Sequence, residues 1–339
     1  MNKIDILYAT DQNYLTMTLA SILSLSENSN LTTSERIDVH LMTEGITEED
    51  RNKIELVNSL CPNINLFTYP LEEFHIERYG IPEWQNTQVA NARLFFQKIL
   101  KEQVEKMDRM LYLDSDTIIL GDLSGLLNKE APIYAVRDNT PSSYAKGLGL
   151  STYYNSGVLY IDVKKWLEEN YQEQIENYIE NNQGKKFTYP DQDILNVVLQ
   201  GQITELSREY NMAPYAYALR DEKLTNYCKR YNVPLDELLL ARNNPKILHS
   251  TGLLGIKPWM INKIHPYNEP YREYISQVDP NFKLQIPRTI KGALAQYPSL
   301  FYTLFELKYN LPETLEPCFR KLSIQLNPNQ KVKKRKDKR

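Results

Sequence analysis

Arg109-Met110-Leu111-Tyr112-Leu113-Asp114-Ser115-Asp116 is an apolar run that stops in two carboxylates one residue apart. Alternate side chains of an extended segment share a face. Asp114 and Asp116 can therefore converge on one hard cation at a strand's carboxyl end, where open α/β sheets carry ligands. Carboxylate oxygens suit Mn²⁺ or Mg²⁺, ions that commonly sit against substrate phosphates. The same spacing also fits turn residues or a solvated strand end, so the flanking sequence has to decide.

Working outward, Ile4–Ala9 predicts a first strand, Thr10–Tyr14 a loop and Thr16–Leu25 a helix lying on a sheet. A second strand follows at Arg36–Met42, then a helix that Thr47 caps with acids in its first turn. A third strand spans Ile64–Tyr69, and residues 88–101 read as a helix. Beyond the central strand come Ile133–Val136, a strand ending at Tyr160-Ile161-Asp162, one long helix over Val163–Asn181 and another over Pro190–Leu199. Pro190 suits a first helical turn. Residues 210–245 read as an excursion on the active-site side, closed by a short strand at Lys246–His249. This alternation predicts an α/β fold with a mostly parallel sheet over residues 1–264. A smaller helical appendage is expected at 265–330 and a disordered basic tail at 331–339. Neither Gly-x-Gly-x-x-Gly after the first strand nor Gly-x-x-x-x-Gly-Lys occurs, which disfavours a dinucleotide dehydrogenase and a P-loop ATPase.

Composition narrows the class. With 339 residues, 42% apolar and 24% charged, the chain can bury a large core. Its net charge of −3 conceals an uneven distribution: residues 331–339 hold seven basic side chains against one acid, leaving −9 on residues 1–330. Positive charge confined to one end is unlike a nucleic-acid-binding face, and no nucleic-acid partner is expected. The three cysteines, Cys61, Cys228 and Cys318, have no metal spacing and fit a reducing compartment. Met1-Asn2-Lys3 passes directly into a strand without a signal-peptide core, and no run reaches a membrane span. The expected location is cytoplasmic, with possible peripheral contact at the inner face of the cell membrane through the basic end.

Further polar segments flank the acidic pair. Asp11 and Asn13, just after the first strand, suit the edge of a base or a capped turn. Arg93 suits a phosphate, a carboxylate or a structural ion pair. Gly157, in Tyr154-Asn155-Ser156-Gly157-Val158, would let a sugar approach the backbone or would simply make a tight turn. His249 at a strand end offers a third ligand for a first-row metal, Lys257 a cation for a diphosphate and Trp259 a ring for stacking. Asp191 and Asp193 at a helix start are ordinary stabilisers or face a sugar, and Asp138 is a similar candidate for gripping hydroxyls. His40, His75 and His265 receive no role.

Taken in order, six motifs resemble those of the family-eight glycosyltransferases. They are Ala9-Thr10-Asp11-Gln12-Asn13-Tyr14, Ala92-Arg93-Leu94, Leu111–Asp116, Tyr154–Val158, Pro190-Asp191-Gln192-Asp193-Ile194-Leu195-Asn196, and His249-Ser250-Thr251-Gly252 with Lys257-Pro258-Trp259. This is the retaining GT-A group that includes bacterial lipopolysaccharide galactosyl- and glucosyltransferases and is related to glycogenin. The resemblance spans residues 3 to about 262. It implies a GT-A fold with a nucleotide-binding sheet flanked by helices, and transfer of glucose or galactose from a UDP-sugar. The acceptor would be a glycan, glycolipid or glycoprotein.

By the same resemblance, Asp114, Asp116 and His249 would bind Mn²⁺ or Mg²⁺. Asp11 and Asn13 would meet the uracil, with Ala9 and Ser115 also on the nucleotide, and Gly252 and Lys257 the diphosphate. Arg93, Asp138, Asn155, Asp191 and Gln192 would line the donor-sugar pocket, with Gln192, Asp191, Arg93 and Asp138 nearest the chemistry. Gln12 departs from relatives that carry a second aspartate there. An amide at Gln192 is a poor nucleophile, which favours same-face attack by the acceptor, while Asp191 keeps a covalent route open. The alternatives are a sugar-nucleotide-forming nucleotidyltransferase, which the glycine-free first loop disfavours, and a non-catalytic glycan-binding module of the same fold.

Overall fold

The computed structural model describes residues 4–31, 36–84, 87–219, 221–231, 233–251, 253, 255–287, 296–297 and 302–303. Nine runs form strands there, most of them rich in β-branched and aromatic residues. They are β1 (Ile4–Asp11), β2 (Ile37–Glu44), β3 (Ile64–Pro70), β4 (Arg109–Asp114), β5 (Thr117–Ile119), β6 (Ile133–Arg137), β7 (Tyr154–Asp162), β8 (Ile203–Glu205) and β9 (Ile247–His249). Seven of them build one sheet in the order β3-β2-β1-β4-β7-β6-β8. Strands β3, β2, β1 and β4 are parallel, β7 runs antiparallel to β4 and β6, and β8 is parallel to β6.

Strand β4 is central and covered on both faces, which is why it reads as an unbroken apolar run. Leu111 and Leu113 pack with Ile6, Tyr8 and the helix Leu15–Asn28 on one face. Met110 and Tyr112 pack with Leu7, Phe95, Phe96 and Trp166 on the other. Register then delivers the site. Ala9 pairs with Asp114, so the carboxyl ends of β1 and β4 lie side by side. A separate ribbon pairs β5 with β9 antiparallel, setting Thr117 opposite His249. The Ser250 N–H donates to the Asp116 carbonyl at 2.9 Å, so the ribbon ties His249 to the acidic turn.

Three local expectations need correction. The helix expected over 88–101 is 3₁₀ from Val89 to Phe95 and α-helical only over Phe96–Leu100. Arg93 Nε donates to the Ala90 carbonyl at 2.9 Å, occupying an acceptor that an α-helix would offer to Leu94. The single helix Val163–Asn181 is two, Val163–Glu168 and Tyr171–Asn181. They break at Asn170, whose φ of 53° lies in the left-handed region that asparagine tolerates. Residues Tyr154–Val158 belong to β7 itself and are not a turn before it.

Thr47 caps the helix Glu48–Leu60 in a reciprocal capping box with Asp50. The helix Asn268–Val278 packs on Leu15–Asn28, where the Tyr274 hydroxyl donates to Glu27 at 2.9 Å and accepts from Asn28 at 2.8 Å. Most of residues 288–330 and the whole basic run Lys331–Arg339 lie outside the described residues. Among the described residues no helix is long and apolar enough to cross a membrane.

Candidate active site

Asp114 ends β4, Asp116 follows two residues later and His249 ends β9. The turn between the acids is pinned by Ser115 Oγ, which donates to the Ala9 carbonyl at 2.7 Å, and by Thr117 Oγ1, which donates to the Asp114 carbonyl at 2.8 Å. One ligand atom from each of Asp114, Asp116 and His249 falls within 4.8 Å of the others. His249 Nε2 lies 3.1 Å from Asp116 and 3.5 Å from Asp114. Two carboxylates and an imidazole facing a common point are a donor set for a divalent first-row ion. The neighbouring strand leaves room for it. A Cβ on Gly157 would come 2.2 Å from His249 Cε1 and 2.5 Å from Asp114 Oδ2. Gly157 thus clears space for two candidate ligand side chains, a steric reason for glycine that stands without any bound sugar.

The charges of this cluster hold one another. Burial disfavours the Asp116 carboxylate, yet Lys257 and His249 outweigh it and hold the group well below the ordinary carboxylate range. At Asp114 burial is likewise overcome, here by Arg93 and His249, and the pKa is lowered. Burial works against a charged His249, but Asp116 and Asp114 raise its pKa from 6.5 to about 9. Lys257 Nζ lies 2.5 Å from both Asp116 Oδ2 and the Ser250 carbonyl. Its pKa is raised because the same aspartate offsets its burial.

Arg93 connects this cluster to a second one. Its guanidinium reaches Asp114 at 2.7 Å, Asp191 at 3.1 Å and the Ser156 carbonyl at 2.7 Å, and it lies over the Tyr112 ring at 4.5 Å. Asp191 is buried, which raises its pKa against the pull of Arg93. Gln192 Oε1 accepts from the Ser156 N–H at 3.0 Å and from Asn155 Nδ2 at 3.2 Å. Asn155 Nδ2 also donates to Asp138 at 3.0 Å. Arg93, Asp138, Asn155, Asp191 and Gln192 therefore form one connected polar wall beside the Asp-Asp-His cluster. Asp193 faces away, accepting from the Tyr144 and Tyr153 hydroxyls at 2.8 and 2.6 Å.

Asp11 and Asn13 stand at the end of β1 on the other side. Asp11 accepts from the Tyr14 N–H at 3.0 Å and from Asn13 Nδ2 at 3.3 Å, while Asn13 is exposed. Gly252 lies outside the described residues. Trp259 is fully buried, edge-on to Tyr14 at 5.7 Å and against Tyr271 at 5.9 Å. It is core and not a stacking surface, because the following helix folds back over it. That helix also reaches the site: the Tyr271 hydroxyl donates to the Asp116 carbonyl.

Sequence reasoning missed Asn211, whose Oδ1 accepts from His249 Nδ1 at 2.9 Å. It also missed Ser156, whose Oγ donates to Asp191 at 3.0 Å, and Tyr112, whose hydroxyl donates to Asp114 at 2.9 Å. Tyr112 alone carried a signal. It lies two residues before Asp114 on the same strand, hence on the same face.

Comparison with known proteins agrees with this geometry. Residues 5–263 match the model of "Glycosyl transferase family 8". General stress protein A of Bacillus subtilis (strain 168) is 27% identical over 295 residues, 81% of this chain and 95% of that protein. Lipopolysaccharide 1,2-glucosyltransferase of Escherichia coli (strain K12) is 27% identical over 303 residues, 86% of this chain and 82% of that protein. Among solved structures, the galactosyltransferase LgtC with donor and acceptor sugar analogues aligns with a TM-score of 0.63 at 22% identity, over 84% of this chain and 98% of that one. The apo bifunctional glycosyltransferase WbbM aligns with a TM-score of 0.66 at 21% identity, over 81% of this chain and 50% of that one. With a family match across the sheet, the Asp-Asp-His cluster and the Arg93–Gln192 wall, and with a GT-A-like fold beneath them, the chain belongs to glycosyl transferase family 8.

Proposed function

We propose that this chain is a metal-dependent retaining hexosyltransferase. It moves glucose or galactose from a UDP-sugar to a hydroxyl of a glycan, glycolipid or glycoprotein. The observation that carries this reading is the convergence of Asp114, Asp116 and His249 within 4.8 Å at the carboxyl ends of β4 and β9. Asp114, Asp116 and His249 would hold a divalent ion, Mn²⁺ or Mg²⁺, which would supply Lewis-acid stabilisation to a departing diphosphate. Lys257 adds a positive charge on the same side, with Gly252 as a partner on the diphosphate. Asp11 and Asn13 face the uracil, with Ala9 and Ser115 closing the nucleotide end, and Asp138 and Asn155 grip sugar hydroxyls.

Retention of configuration fits same-face attack. The acceptor oxygen bonds the anomeric carbon as the bond to the phosphate oxygen breaks, and the acceptor proton passes to that departing oxygen. Two features support this route over a covalent one. Gln192 presents an amide whose oxygen already accepts from Ser156 and Asn155. Asp191 is committed to Arg93 and to Ser156 Oγ. The basic run 331–339, with its net charge of +6, would hold the enzyme at an anionic cytoplasmic leaflet by about 1 kcal/mol per basic residue near the surface. Deleting it should weaken sedimentation with phosphatidylserine vesicles.

UDP release from UDP-glucose, UDP-galactose and UDP-N-acetylglucosamine, each with Mn²⁺ and with chelator, tests the reading. Metal-dependent release from a hexose donor is expected. Absence of both release and metal-dependent UDP binding would overturn it.

A further inference from the structure

His249 is the member of the cluster that does not come from the acidic turn. A neutral imidazole offers a lone pair from one nitrogen only when the other carries the proton. Here the choice follows from two groups whose polarity is not negotiable, the backbone N–H groups of Gly157 and Ser156. The Gly157 N–H lies 3.0 Å from one amide atom of Asn155, which must be its oxygen. That oxygen is also 2.8 Å from Asn211, which must therefore turn its NH₂ toward Asn155. The Asn211 oxygen is left facing His249 Nδ1 at 2.9 Å, so Nδ1 carries the hydrogen and Nε2 is the nitrogen turned to Asp114 and Asp116. In the other direction, the Asn155 NH₂ meets Asp138 Oδ2 and Gln192 Oε1. The Ser156 N–H independently requires an oxygen from Gln192. Every donor in the series meets an acceptor in this one set of orientations.

Asn211 is itself held rigidly. It closes the 3₁₀ turn Arg208–Asn211 and is buried. Its neighbour Met212 donates to the Ile247 carbonyl at 2.8 Å and accepts from the His249 N–H at 3.0 Å and the Tyr267 hydroxyl at 2.7 Å. The amide therefore rides on the same ribbon as the imidazole it faces.

We propose that Asn211 is a positioning residue that accepts from His249 Nδ1–H and turns Nε2 toward the cation site, and that through Asn155 it fixes this site relative to Asp138 and Gln192. This rests on the glycosyltransferase reading of the cluster. The two halves of the role belong to different atoms. Oδ1 serves His249 and Nδ2 serves Asn155, so substitutions can separate them.

The test uses the full chain and two readouts, calorimetric titration with Mn²⁺ alone and steady-state kinetics with the preferred UDP-sugar. Asn211→Leu removes both bonds and should weaken Mn²⁺ about 10- to 100-fold, as loss of a ligand's outer partner does. Asn211→Asp keeps an acceptor for Nδ1–H but turns oxygen against the Asn155 oxygen. It should bind Mn²⁺ as tightly as wild type or more tightly, yet show a raised KM for the donor sugar. Wild-type Mn²⁺ affinity in Asn211→Leu, or the same Mn²⁺ loss in both variants, overturns the proposal. If the leucine variant does not fold, the isosteric aspartate decides: an unchanged donor KM overturns the link to Asn155. Failure of wild type to bind Mn²⁺ overturns both the metal centre and the role of Asn211, whereas failure of the variants alone to differ overturns only the latter.

Discussion

Gly157→Ala adds one carbon atom and should disturb two of the three candidate ligands. The φ of Gly157 is not in the left-handed region, so an alanine meets no backbone penalty and the whole cost is spatial. Its Cβ would lie 2.2 Å from His249 Cε1, and ordinary contact begins near 3.4 Å, so the ring would have to withdraw by roughly 1.2 Å. Neither neighbour is free to leave. His249 is held by Asn211 at 2.9 Å, and Asp114 by Arg93 at 2.7 Å and the Tyr112 hydroxyl at 2.9 Å. Overpacking of this kind costs about 1–3 kcal/mol, and metal–ligand distances tolerate only about 0.2 Å of error. The variant should therefore fold with reduced stability in urea and bind Mn²⁺ at least tenfold more weakly. Adding His249→Ala removes the main clash. In metal-free protein the double variant should be more stable than the sum of the singles implies, a non-additivity expected of residues in contact. Wild-type Mn²⁺ affinity in Gly157→Ala would refute the reasoning, because with two of the three ligands displaced by this amount the set cannot close on one ion.

Other consequences follow from individual contacts. Asp116→Ala removes one of three ligand groups and the carboxylate partner of Lys257, so metal-dependent UDP release should fall to background in a coupled UDP assay. For wild type, Mn²⁺ at about 100 times its Kd should add about 2.7 kcal/mol of unfolding free energy that chelator removes. Arg93→Met leaves Asp114 and Asp191 without their shared cation and should cost about 3–5 kcal/mol in urea unfolding. Arg93→Lys should recover only part of this, since a single ammonium cannot fork between two carboxylates. Burial and nearby Lys257 push the His265 imidazole from 6.5 down to about 3. Between those values the unfolded chain binds a proton that the folded chain refuses, so stability falls as pH drops, by up to about 1.4 kcal/mol per unit. His265→Gln should flatten that part of the pH–stability curve.

Much of the site could be read from the sequence because its parts sit at predictable ends. Strand β4 is covered on both faces and so announces itself as an apolar run, and the two acids at its close share a face by strand geometry alone. Arg93 and His249 stand out locally as a candidate anion partner and a candidate metal ligand, but only the order of motifs joins them to the acidic pair, since no local rule brings residues from a 3₁₀ segment and a distant ribbon to the same point. Asn211 was illegible for a plainer reason. It lies 38 residues before His249, and their contact depends on the β5–β9 pairing together with the turn Arg208–Asn211. The space that Gly157 leaves for His249 and Asp114 has no sequence signal, because the Leu113–Val158 pairing of β4 with β7, which sets it against Asp114, is a tertiary fact. Periodicity joined Val163–Asn181 into one helix because it registers apolar spacing and is blind to a single left-handed residue such as Asn170.

The charge balance of the site carries a final consequence for how its ligands bind. Asp114, Asp116 and Asp191 are matched one for one by Arg93, Lys257 and a protonated His249, whose pKa stands at about 9. A divalent ion needs the bare imidazole, so its arrival near neutral pH releases that proton. Affinity for Mn²⁺ should accordingly rise by about tenfold per pH unit up to about pH 9 and then level off. Exchanging one proton for two positive charges leaves the cluster with an excess of one. On the proposed function a nucleoside diphosphate would bring the opposite charge to the same place, beside Lys257 and the cation. Each ligand should therefore bind more tightly in the presence of the other, and by linkage the two factors must be equal. Titrating Mn²⁺ with and without UDP, and UDP with and without Mn²⁺, measures both sides. Equal enhancements that vanish in Asp116→Ala are expected, and independent binding of the two would show that the carboxylates do not hold the cation where the diphosphate meets it.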